Sequence, residues 1–71
     1  MKNLPPFLLR MKSEWQELYD KVFKLKGFIE NTDNMKKVDA TQWVLLVEQY
    51  VYMTNYLRIL ETRIKLAEEA L

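Results

Sequence analysis

Three lysines, Lys21, Lys24 and Lys26, stand among five apolar residues and the only glycine of the chain in the stretch Lys21–Ile29, KVFKLKGFI. Ammonium groups at that density either form a solvated face or hold something negatively charged. Farther along, Gln49, Tyr56 and Arg63 recur every seven residues. A guanidinium is a planar fork that suits phosphate or carboxylate, and a tyrosine offers a ring for stacking and a hydroxyl. Trp15 and Trp43 are able to stack on a base, although a core position is the simpler account of both. What these residues do not offer is catalysis of the familiar kinds. The chain has no histidine and no cysteine, so the commonest general base and the Ser-His and Cys-His nucleophile pairs are excluded. Glu48 and Glu61 lie too far apart on one helix to act as a carboxylate dyad, Glu68 and Glu69 read as solvated, and no glycine-rich phosphate loop is present. The reading is a binding protein, not an enzyme, with no cofactor and no metal.

The composition narrows the partners. Eleven basic residues oppose ten acidic ones, which speaks against a strongly basic face for duplex nucleic acid. The apolar runs are too short for a membrane span, and the opening MKNLPPFLLRMK lacks the long apolar run of a signal peptide. An intracellular protein is the simplest expectation. Seventy-one residues make a single domain, 1–71. A chain this short rarely stabilises itself without disulfides, metal or oligomerisation. With no cysteine, and with 49% of its residues hydrophobic, oligomerisation is the route left.

Two elements carry the candidate residues. Pro5 and Pro6 suit a helix start, where a missing N–H does no harm. Met11, Trp15, Leu18, Val22, Leu25 and Ile29 then follow at alternating spacings of four and three, a heptad seam. Gly27 inside it marks either a close helix approach or early fraying. The stretch Glu30–Lys37, ENTDNMKK, is rich in residues whose side chains bond the local backbone, and it reads as a turn. Asp39 is a good N-cap, with Gln42 as its capping-box partner and Val38 and Trp43 as a hydrophobic staple. A second seam, Leu46, Tyr50, Met53, Leu57, Leu60, Ile64, Ala67 and Leu71, has the same alternation. The expected fold is all-α: an antiparallel two-helix hairpin, about 7–31 and 40–70, assembling into a homo-oligomeric helical bundle. The assembly follows from a second stripe, Leu45, Tyr52, Ile59 and Leu66, widened by Val44 and Val51, that one partner helix leaves uncovered.

The lysines also have an ordinary account. Glu17 and Lys21, and Asp20 and Lys24, are spaced four apart with the acid first, the favourable order for exposed helix pairs. Gln49, Tyr56 and Arg63 likewise read as flankers of the seam, with Arg63 snorkelling over it. A binding role requires several copies to meet so that lysines and aromatics converge. Lys21, beside the seam, suits a cleft, whereas Lys24 and Lys26 point elsewhere and serve a neighbouring chain.

The run Lys24-Leu25-Lys26-Gly27-Phe28-Ile29, a short loop, and then a helix with Leu45-Leu46, Gln49, Met53, Tyr56-Leu57, Leu60 and Arg63-Ile64 resembles a group of small phage proteins with a helical-hairpin domain. These are the anti-CBASS sponges and a related Thoeris anti-defence sponge. The resemblance covers about residues 12–66, and its less trivial matches are Lys24, Phe28, Ile29, Gln49, Tyr56 and Arg63. It implies a non-catalytic, cytoplasmic protein of the infected bacterial host that sequesters cyclic di- and trinucleotide alarm signals in sites between the chains of a homo-oligomer, a hexamer in the best-known branch. By the same resemblance Lys24 is the phosphate lysine, with Lys26 and Lys21 as alternatives. Arg63 serves a trinucleotide site, and Phe7 or Trp15 stacks on a base where the family has a tyrosine. A structural or protein-interaction module is the alternative reading.

Overall fold

A computed structural model describes residues 4–71, so the first three residues of the expected 1–71 domain lie outside the description. Two helices dominate: α1, Pro6–Glu30, and α2, Ala40–Glu69, joined by a 3-10 turn over Thr32–Lys36. They pack against each other as the expected hairpin, and their ends agree with the expected ranges to within a residue. The molecule measures 52 × 17 × 15 Å. A 30-residue helix is about 45 Å long, so the protein is one helix long and two helices wide.

The local chemistry of the ends explains the elements. Pro6 opens α1, and the Pro5 carbonyl accepts from the N–H groups of Leu8 and Leu9 at 3.0 and 3.2 Å. At the other end Asn31 leaves the helical conformation, and its side chain accepts from the Asp33 N–H at 3.2 Å, which starts the turn. Asn34, the one buried polar residue among those described, donates from Nδ2 to the Phe28 carbonyl at 2.8 Å. That bond satisfies one of the carbonyls a helix C-terminus leaves without a partner. Asp39 caps α2 as expected, accepting from the Thr41 N–H at 2.7 Å. Trp43 packs on Phe28 across the hairpin, ring centroids 6.1 Å apart. Gly27 marks no close approach within the hairpin. A Cβ there would meet nothing within 4 Å, and α1 continues past it to Glu30.

Both seams face inward. Every seam residue from Met11 to Ile29, and from Leu46 to Ala67, is buried or half-buried, while Leu71 is exposed. The deepest part lies at the open end, where Leu8, Leu60 and Ile64 form a cluster joined by Leu4, Met11, Trp15 and Ala67. Leu4 and Leu8 extend the seam of α1 in the same alternation, upstream of where the sequence reading began it. The core is nonetheless thin: among the described residues, only Leu8, Val22, Leu60 and Ile64 are buried apolar residues. The second stripe stays open, with Leu45, Tyr52, Ile59 and Leu66 each at least half exposed. Among the described residues, no helix is long and apolar enough to cross a membrane.

Candidate functional site

The seam divides the hairpin into two flanks. On one, Glu14, Glu17, Leu18 and Lys21 of α1 meet Tyr56 of α2 around a shallow depression. Tyr56 also walls a neighbouring depression with Ile59, Leu60 and Arg63. On the other flank Lys12, Trp15 and Gln16 meet Glu61 and Ile64, and Lys12 Nζ lies 3.6 Å from Glu68 Oε2. Lys21 and Lys12 are nine residues apart, about half a circle round an α-helix, which is why they fall on opposite sides.

The first flank is held by a link between the helices. The Tyr56 hydroxyl donates to Glu14 Oε1, a bond between residues 42 positions apart in the chain. This bond and the charge of the Glu14 carboxylate raise the Tyr56 phenol above its ordinary pKa, with burial adding to the rise and the nearby Arg63 guanidinium opposing it. Of the candidate residues, the structure therefore brings Lys21, Tyr56 and Arg63 to one flank, with an acid, Glu14, among them. The two depressions have volumes of about 170 Å³ each. Pockets that enclose a small ligand run to about 300–1,000 Å³, so neither depression encloses one by itself.

The remaining candidates fall elsewhere. Lys24 borders a separate hollow with Tyr19, Asp20 and Phe23. Lys26 is engaged with Glu30 at 3.8 Å. Phe7, in the first turn of α1, lies about 25 Å along the helix from Lys24, so within one chain the two do not share a ligand. Trp15 is half-buried against the core, and its Nε1 is buried without a hydrogen-bond partner. It is also the first rung of an aromatic ladder. Trp15 stacks on Tyr19 at 5.1 Å and 16°, and Tyr19 on Phe23 at 6.3 Å and 22°. The sequence reading missed Tyr19 and Phe23, although the spacing 15, 19, 23 is the signal that finds them. Both are exposed, and they are the aromatic rings beside Lys24.

The expected ion pairs Glu17–Lys21 and Asp20–Lys24 do not form. Asp20 Oδ1 instead accepts from Gln16 Nε2, one turn back, at 3.1 Å. Among the described residues, Lys21 and Lys24 have no carboxylate within 4.0 Å. Both ammonium groups are exposed and open to a ligand.

The hairpin thus gathers an ammonium, a phenol and a guanidinium on one flank, and stacked rings beside a second ammonium. The chain belongs to the Sequestin family, whose model matches residues 5–66. That segment contains the whole of the resemblance to phage sponge proteins, and the family's name denotes sequestration, which sets a binding role ahead of a catalytic one. No curated protein and no solved structure matches the chain.

Proposed function

We propose that the protein is a phage anti-defence sponge. It holds cyclic di- or trinucleotide immune signals between the subunits of a homo-oligomer, a hexamer being favoured, in the cytoplasm of the infected bacterial host, and it releases them unchanged. The observation that carries this reading is the flank of Lys21, Tyr56 and Arg63 set against an open apolar stripe, in a chain whose family is named for sequestration. Ile59 belongs to both features: it lines the Arg63 depression and is 53% exposed on the stripe. A second copy that covers the stripe therefore also walls the depression, which enlarges a hollow too small to enclose a ligand alone. A cyclic dinucleotide carries two phosphates, so a near-zero net charge on the protein is no obstacle. Lys24, beside the exposed rings of Tyr19 and Phe23, supplies a second place where a phosphate and a base are held together.

The test is the melting temperature of the purified protein against a panel of cyclic di- and trinucleotides and their linear forms. A ligand that binds only the folded state, at 100 times its dissociation constant, adds about 2.7 kcal/mol, a shift of several degrees in a domain this small. A clear shift with one cyclic form and none with its linear counterpart is expected, with loss of that shift in Arg63→Ala or Lys24→Ala at unchanged oligomer size. If both variants bind like the parent, these residues are not the ligands.

The open stripe favours a second reading, a hairpin that docks another protein and takes no small ligand. No shift across a broad panel, together with loss of a protein partner when Tyr52 or Ile59 is charged, is the result that reading expects.

A further inference from the structure

We infer that Glu14 is an internal competitor for the ligand's phosphate: its carboxylate occupies the hydroxyl of Tyr56, and an anionic ligand must displace it to bind. This inference rests on the reading of the Lys21–Tyr56–Arg63 flank as an anion site.

A tyrosine hydroxyl has a single proton to donate, and Tyr56 gives it to Glu14 Oε1. Tyr56 is also the wall shared by the two depressions, with Arg63 on one side and Glu14, Glu17 and Lys21 on the other. A phosphate oxygen that reaches the phenol from the Arg63 side meets a donor already engaged by an acceptor of the same sign. Glu14 and Arg63 act on that one phenol in opposite senses, as expected for an acid and a base on either side of it. The displaced Glu14 carboxylate is exposed and moves out into solvent, while Lys21, which has no carboxylate within 4.0 Å, stays free for a phosphate.

The consequence concerns ligand class. Displacing Glu14 is a fixed cost that every anion meets. A ligand with one singly charged phosphate exchanges one charge-assisted bond to Tyr56 for another and binds weakly. A ligand with two or more phosphates reaches Arg63 or Lys21 at the same time, and those contacts offset the cost. Glu14 thus lowers affinity for all anions and leaves useful binding to those that place one phosphate at Tyr56 and another at Arg63 or Lys21.

The experiment titrates inorganic pyrophosphate into the full-length wild-type protein, Glu14→Gln and Glu17→Gln, by calorimetry, with circular dichroism confirming that each is helical. Glutamine at position 14 keeps an oxygen that accepts from Tyr56 and removes the charge. Glu17→Gln removes the same charge from the same depression without touching Tyr56. Glu14→Gln is expected to bind pyrophosphate about tenfold more tightly than wild type, the scale of one charge-assisted hydrogen bond, and Glu17→Gln to change by less than about twofold. Equal tightening in both variants would reduce the effect to general charge and overturn the inference. Unchanged or undetectable binding by Glu14→Gln overturns it as well. Pyrophosphate carries no base, so failure of the cyclic-nucleotide panel and failure of this inference remain distinguishable.

Discussion

Helix α2 carries two apolar stripes with the same heptad spacing and nearly the same residue types, and they meet opposite fates. Leu46, Met53, Leu60 and Ala67 are buried or half-buried against α1, while Leu45, Tyr52, Ile59 and Leu66 stand open. Nothing in either stripe alone says which is which. The difference is supplied by α1, which has one continuous seam and thus covers one stripe of its partner. The core that results has two fully buried side chains, Leu8 and Leu60, little for a chain that must offset the conformational entropy of 68 described residues. An open stripe as long as the core itself is therefore where additional stability has to come from, and further copies of the chain are the proposed source.

That contrast is broken most severely from the buried side. Leu60→Ala is expected to cost about 2–5 kcal/mol, enough to unfold a marginal domain at room temperature, and loss of the circular-dichroism helix signal reads it. Ile59→Asp, one residue away on the open stripe, is expected to leave the hairpin contacts in place and to remove the assembly. Light scattering should then report a smaller particle, with a melting temperature that depends on protein concentration in the parent and not in the variant. If Ile59→Asp leaves the particle mass unchanged, the stripe is not an interface between copies. At the turn, Asn34→Ala leaves the Phe28 carbonyl without its donor in a part-buried place, and a loss of about 1–3 kcal/mol is expected in chemical denaturation. Gly27→Ala acts in the other direction. With open space where the methyl would go, the hairpin should gain about 0.4–1 kcal/mol.

The hairpin was legible because its signals are local. Proline at the start, Asx residues in the turn, Asp39 at the cap and the three–four alternation each act within a few residues, and each was found where expected. The site was legible only in part. Arg63 and Tyr56 share a face by spacing alone, so the sequence grouped them, but their meeting with Glu14 spans 42 positions and depends on the register of α1 against α2, which no local pattern fixes. Phe7 and Trp15 were grouped with Lys24 through the resemblance, and the length of the helix keeps Phe7 far from it. Tyr19 and Phe23, the rings that do adjoin Lys24, lie outside the buried seam, so the heptad pattern does not mark them.

The smallest effect sharpens the comparison of the two flanks, because only one of them has a phenol tied to a carboxylate. The Tyr56 phenol is raised above its ordinary 10.0 by Glu14. Its neutral, donating form is thus favoured in the folded state, and the stability from this link is complete below the unfolded pKa and lost as pH rises through the higher folded value. Absorbance of tyrosinate should accordingly show one tyrosine of the four titrating late, identified as the component missing from Tyr56→Phe. In Glu14→Gln the hydrogen bond keeps an acceptor but the charge is gone, so the late component should move back toward 10.0. If it stays late in Glu14→Gln, the charge of Glu14 is not what holds the phenol neutral. The link would then be too weak to compete with a phosphate, and the two flanks would differ in shape alone.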